Sequence, residues 1–161
     1  MAYGSNTNID QMKRRCPKAK LVGTGVVEGW KLVFQKSRTG FYLNIIPGKP
    51  TDWVPVVVWG LDDESEMTMD IYEGYPSCYQ KKTFTLEVRN GKRGKNPTME
   101  CFAYIMPKSR EFGVPSSAYF DKCSEGYKNF GFQQRILDEA YMYSSHRSGF
   151  KKAKSRWEKM K

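Results

Sequence analysis

At 161 residues, with 39% hydrophobic and 14% aromatic side chains, the chain holds enough apolar mass for one self-supporting domain, and this content excludes disorder throughout. A formal charge of +10 points to anionic partners: nucleic acid, an acidic membrane surface or a small anionic substrate. Cys16, Cys78, Cys101 and Cys123 form no CxxC pair and His146 is the single histidine, which argues against a zinc site of the usual spacing. No apolar run approaches the ~18 residues of a membrane span, and the N-terminus turns polar at Gly4 without the pattern of a signal peptide. Reduced thiols in the cytoplasm are therefore expected.

In chain order, Tyr3-Gly4-Ser5-Asn6 reads as a turn feeding a short helix, in which Ile9, Met12 and Cys16 recur at helical spacing until Pro17 stops it. Asn6 or Asn8 serves as an ordinary N-cap, and a turn of this composition can also aim N–H groups at an anion or a carbonyl oxygen. Lys20 to Gln35, rich in Val and Leu and interrupted by Gly23, Gly25 and Gly29, suits a long bent strand or two strands. Phe41–Ile46 and Trp53–Leu61 are further strands around the turn Pro47-Gly-Lys-Pro50. Val56-Val57-Val58-Trp59, apolar without alternation, predicts a strand covered on both faces. Asp62-Asp-Glu-Ser then caps a helix ending near Glu73, with Leu61, Met67 and Ile71 marking its buried side. Strands follow at Gln80–Arg89 and Thr98–Met106, joined by the basic, glycine-rich loop Asn90–Pro97. One helix starts at Pro115-Ser-Ser and carries Tyr119, Phe120, Cys123 and Tyr127. A last one runs from about Phe132 to Tyr143. This order of elements predicts an α+β domain around a curled, mixed sheet or small barrel.

Within this order, Asp70-Ile-Tyr-Glu-Gly-Tyr-Pro-Ser-Cys-Tyr-Gln-Lys81 sets one carboxylate, Glu73, among three tyrosines where Gly74 and Pro76 forbid further helix. The negative end of a helix dipole disfavours a carboxylate there, so Glu73 invites a functional explanation. Most glutamates are nonetheless solvated surface, and tyrosines at a helix end commonly fill the core.

Taken together these segments resemble the γ-glutamylcyclotransferase family, including its AIG2-like relatives. The likeness lies in Tyr3-Gly4-Ser5-Asn6, then Met12, Arg15, Cys16, Pro17 and Ala19, then Gly29-Trp30-Lys31-Leu32 with Phe34. It continues in Val57-Val58-Trp59, in Asp70 to Pro76 with Tyr79 and Lys81, in Tyr104-Ile105-Met106, in Pro115-Ser116 with Tyr119, and in Gly126-Tyr127. Several motifs in order over Met1 to Gly131 are more specific than any one. The resemblance implies a small mixed β-barrel with flanking helices, and Glu73 as the essential acid/base. It also implies a small γ-glutamyl amine or amino acid as substrate, released as 5-oxoproline and the free amine, with no metal and no organic cofactor. The backbone of Tyr3, Gly4, Ser5 and Asn6 is then expected to fix the glutamyl unit, with Tyr79 and Tyr104 as further hydrogen-bond candidates. Tyr72, Tyr75 and Tyr79 are expected to supply an apolar setting that raises the Glu73 pKa.

The resulting division is a cyclotransferase-like domain over residues 1–145 and a basic tail over 146–161. Eight of the 27 basic residues fall between Arg135 and Lys161. A tail of this kind serves solubility or grips phosphate. It supports an alternative reading, a non-catalytic binding module of the same fold that engages an anionic ligand or nucleic acid through its basic loop and tail. A carboxylate in the pocket speaks against that alternative, because it repels phosphate.

Overall fold

The computed structural model describes the backbone of residues 1–159 and the side chains of 1–149 and 159. A 3-10 turn, Ser5–Thr7, leads into α1 (Ile9–Arg15), followed by β1 (Lys20–Glu28), β2 (Trp30–Lys36), β3 (Phe41–Pro47) and β4 (Trp53–Gly60). Then come α2 (Asp63–Glu73), β5 (Gln80–Glu87), β6 (Thr98–Ile105), α3 (Ser117–Asn129) and α4 (Gln134–Glu158). The α+β class expected from the order of elements is the one observed.

The strands pair as antiparallel ladders, β1 with β4, β2 with β3 and β5 with β6. Isolated bridges join Ala2 to Val57, Thr24 to Arg89 and Gln35 to Phe112, so the ladders and the N-terminal segment are stitched at their edges. The Lys20–Gln35 stretch resolves into two strands in different ladders, with Gly29 as the corner between them. Of the run Val56 to Trp59, expected to be covered on both faces, the three valines are buried and Trp59 is half-buried, and the burial extends back to Val54. Inside, Phe34, Val54, Val56, Ile45 and Val88 meet Tyr127 and Leu137 from α3 and α4 in one core.

Two expectations change. Met67 and Ile71 do not mark the buried side of α2: they are 67% and 79% exposed, while Ser65 and Met69 face inward. The reason is periodicity. At 3.6 residues per turn, Ser65, Met69 and Glu73 share one stripe, and Ile71 lies about 200° from Glu73. Turning the carboxylate inward turns the aliphatic pair outward. The last helix also continues well beyond Tyr143, to Glu158. Ser144, fully buried on its inner side, accepts a 2.8 Å hydrogen bond from the Phe34 N–H, so a polar residue continues the packed face. Met160 and Lys161, and the side chains of residues 150–158, lie outside the described residues, and with them most of the tail expected to grip phosphate. His146 is exposed. No helix of the described residues is long and apolar enough to cross a membrane.

A buried amide pair fastens the chain after β6 to the β2–β3 ladder. Asn44 Nδ2 donates to Gln35 Oε1 at 2.7 Å and to Met106 O at 3.1 Å, and Asn44 Oδ1 accepts from Met106 N at 2.9 Å. Gln35 Nε2 in turn donates to the carbonyls of Lys108 and Arg110, each at 2.9 Å. Both amides are fully buried, so each of these bonds replaces lost water. Asn44→Leu would strand the Met106 N–H and Gln35 Oε1 in the core. It is expected to lower unfolding free energy by about 2–4 kcal/mol in urea titrations; an unchanged midpoint would contradict this account.

Candidate active site

The sequence from Asp62 to Lys81 places one carboxylate with care. Asp62 caps α2 by accepting from Ser65 N, and Gly74 ends it in the left-handed conformation at φ 64°, its N–H donating to Asp70 O and Ile71 O. Glu73 is thus the last helical residue, on the inward stripe. One turn earlier, Asp70 is clamped from outside the helix: Tyr104 donates its hydroxyl to Asp70 Oδ1 at 2.5 Å, and Lys81 Nζ lies 2.9 Å from the same oxygen. Lys81 also pairs with Glu66 at 2.7 Å, so Lys81 of β5 and Tyr104 of β6 together hold α2 along more than one turn.

Glu73 opens onto a cavity of about 850 Å³ whose wall includes the expected acid/base and substrate-binding residues Tyr3, Gly4, Ser5, Asn6, Glu73, Tyr79 and Tyr104. The loop meets Glu73 directly, with Asn6 Nδ2 donating to Glu73 Oε1 at 3.2 Å. Glu73 Oε2 receives no hydrogen bond from the described residues. Three contacts seat the loop. Trp59 Nε1 donates to Asn6 O at 2.9 Å, and the Tyr127 hydroxyl donates to Tyr3 O at 3.0 Å. Gly126 lets α3 press against the loop, since a Cβ there would fall 2.1 Å from Thr7 Oγ1 and 2.6 Å from Asn8 N. Within the loop, the N–H groups of Thr7 and Asn8 bond back to Gly4 O and Ser5 O. Those of Gly4, Ser5 and Asn6 take no acceptor among the described residues.

The other expected site residues divide by what their hydroxyls do. Tyr3 is buried and donates to Tyr104 O, and Tyr104 donates to Asp70, so both serve as struts behind the wall. Tyr79 is buried beside Glu73 and supplies the apolar setting. Tyr72 and Tyr75, expected to help, are 55% and 41% exposed. Tyr72 stacks under the Arg15 guanidinium, and Tyr75 packs on Lys81. Gln11, Arg15 and Trp59 bond to the loop although sequence reasoning gave none of them a site role, Arg15 and Trp59 standing there only as parts of the shared motifs. Their signal was present for the first two: a spacing of four on α1 puts Gln11 and Arg15 on one face, toward Asn6.

Burial pushes the Glu73 carboxyl up to about 7, although the Arg15 guanidinium and the Asn6 hydrogen bond both favour the charged form. The neighbouring phenols of Tyr3, Tyr79 and Tyr104 are also raised, chiefly by burial, and stay neutral where Glu73 titrates. Among the described residues no group of three or more His, Cys, Asp and Glu side chains is placed to hold a metal ion.

A buried carboxylate pushed up toward neutrality, at the wall of a cavity in an α+β scaffold, defines a pocket suited to proton exchange with a small bound molecule. The chain belongs to the gamma-glutamyl cyclotransferase, AIG2-like family, whose model matches residues 1–122. Among solved structures it is similar to a gamma-glutamyl cyclotransferase, at 24% identity and a TM-score of 0.72, over 86% of this chain and 83% of that one. It is equally similar to an uncharacterized protein from Homo sapiens, at 25% identity and a TM-score of 0.72 over the same shares. YkqA from Bacillus subtilis shares the fold at 16% identity and a TM-score of 0.63, covering 89% of this chain and 52% of that one. No curated protein compared by sequence matches this chain.

A carboxyl that titrates near ~4.3 in the unfolded chain and higher in the folded one binds more protons when folded. Its contribution to stability is therefore full at acid pH and is lost as pH rises from about 4.5 to about 7. Glu73→Gln is expected to match the parent in urea midpoint near pH 4.5. At pH 8 it should be the more stable protein, by about 3 kcal/mol at most; equal midpoints at both pH values would contradict the raised titration.

Proposed function

We propose that this protein is a γ-glutamylcyclotransferase, converting the γ-glutamyl group of a small γ-glutamyl amine or amino acid to 5-oxoproline with release of the amine. The observation that carries the reading is Glu73: a carboxyl pushed up to about 7, on a cavity wall, with one oxygen tied to Asn6 and the other without a partner among the described residues. The substrate's α-amine arrives mainly as an ammonium and must lose a proton before it attacks its own γ-carbonyl. Glu73 takes that proton, and the new N–C bond closes a five-membered ring around a tetrahedral carbon. The protonated Glu73 then passes the proton to the departing nitrogen as its C–N bond breaks, and the second proton of the ring nitrogen is given up to the free amine, which leaves as ammonium with the carboxylate as it began.

Closure within one molecule depends on holding the chain folded, and well-oriented reactions of this kind reach effective molarities of about 10⁵ M or more. The unpaired N–H groups of Gly4, Ser5 and Asn6 supply donors for the oxygen that becomes negative on the attacked carbon. Fixed donors of this kind need no reorganisation as the charge develops. The four cysteines are free thiols, in keeping with a cytoplasmic setting.

The test is incubation of the folded protein with a panel of γ-glutamyl amides, γ-glutamyl amino acids and γ-glutamyl peptides, with 5-oxoproline followed by mass. Turnover of at least one member is expected, and Glu73→Gln should reduce it by about 10²–10⁴-fold with the fold intact. Silence across the panel, with salt-sensitive binding to nucleic acid that survives Glu73→Gln, would replace the enzyme by the binding module.

A further inference from the structure

The Asn6 amide is gripped on both sides. Nδ2 donates to Glu73 Oε1 at 3.2 Å, while Oδ1 accepts from Arg15 Nη1 at 2.7 Å and from Gln11 Nε2 at 3.2 Å. A guanidinium offers donors and no acceptor. Turning the Asn6 amide over would set Nδ2 against Arg15 Nη1 and Oδ1 against the Glu73 carboxylate, so two repulsive contacts would replace two bonds. Arg15 therefore fixes the polarity of the amide.

Gln11 pays for that polarity. Its second neighbour, Ser5, can donate or accept, so Asn6 alone decides which way the Gln11 amide faces. Gln11 Nε2 turns to Ser5 Oγ at 2.9 Å and to Asn6 Oδ1, and Gln11 Oε1 is left buried without a partner among the described residues. Gln11 is 3% exposed and lines the cavity. An orphaned buried oxygen is a standing cost to the fold, and here it follows from the demand that Gln11 donate.

We propose that Arg15 and Gln11 are positioning residues that lock the Asn6 amide with its NH2 toward Glu73, tying down Oε1 and leaving Oε2 to face the cavity. The groups around Glu73 come from every neighbouring element. Arg15 lies on α1, and the buried phenols of Tyr3, Tyr79 and Tyr104 come from the loop, the start of β5 and β6. Asp70 is one turn back on α2 and paired with Lys81, and the guanidinium of Arg38 lies against Gly74. Gln11 is uncharged, so its influence on Glu73 passes through Asn6. The effect on rate rests on Glu73 being the proton-transfer group, as proposed above, while the effect on titration rests on hydrogen-bond geometry alone.

The experiment is a carboxyl-carbon NMR titration of Glu73 in the parent and in Asn6→Leu, Gln11→Met, Arg15→Met and the double variants Asn6→Leu/Gln11→Met and Asn6→Leu/Arg15→Met, each checked for folding by circular dichroism. Loss of the Asn6 bond in Asn6→Leu is expected to raise the Glu73 pKa by about one unit. Gln11→Met should move it the same way by less, and Asn6→Leu/Gln11→Met no further than Asn6→Leu alone. Arg15→Met should shift it more in the parent than in the Asn6→Leu background, and this pair decides the matter if Gln11→Met does not fold. In turnover at pH 7, a one-unit rise cuts kcat/KM about fivefold by lowering the ionised fraction, and activity returns above pH 9. A folded Gln11→Met that titrates like the parent, or shifts that add fully in the double variants, would overturn the assignment. Titrations that behave as expected in a protein without turnover would uphold it and remove the proposed reaction instead.

Discussion

An amide 3.2 Å from a carboxylate joins parts of the chain 67 residues apart, and most of the site exists to hold that contact. One partner rides on a loop of four residues near the N-terminus, the other on the last residue of a helix. Neither support is rigid alone. Loops move, and helix ends fray. The loop is made rigid by the Trp59 indole, the Tyr127 phenol and the α3 backbone pressing on it at Gly126. The helix end is made rigid by the left-handed Gly74 and by the Lys81 and Tyr104 clamp on Asp70. Charged and polar groups are used behind the wall so that the Glu73 carboxylate can face the cavity in front of it.

The order of elements was legible in the sequence because it rests on local signals. Asn8, Asp62 and Ser116 cap the helices they precede, and Val56 to Val58 is as buried as its composition implies. The site residues were brought together as the motifs suggested, since all seven line one cavity. What sequence could not supply was rotation and reach. The outward turn of Met67 and Ile71 follows from a preference of the whole fold for Glu73 inside, and no hydrophobic pattern encodes that preference. Whether the Tyr3 and Tyr104 hydroxyls face a ligand or a carbonyl depends on partners about a hundred residues away in Tyr3's case. The last helix outruns its expected end at Tyr143 because Ser144, polar in sequence, is a core residue there.

Buried polar groups carry an unusual share of the specificity of this fold. Asn44 and Gln35 occupy interior positions that an aliphatic pair could fill, but an aliphatic pair would not dictate where the segment after β6 crosses the β2–β3 ladder. The same logic governs the loop, where the amides of Asn6 and Gln11 set the direction of each bond as well as its place. Apolar packing gives the molecule its stability, and these amides choose one arrangement among those of similar packing.

The rotation of α2 has a further consequence at the surface. Because Glu73 claims the inner stripe, Met67 and Ile71 stand in water on the opposite side with no packing to preserve. The helix therefore separates its two duties by face: one side is constrained residue by residue, and the other is nearly free. Resurfacing those two positions with charged side chains offers a way to tune solubility and self-association while the cavity stays as it is.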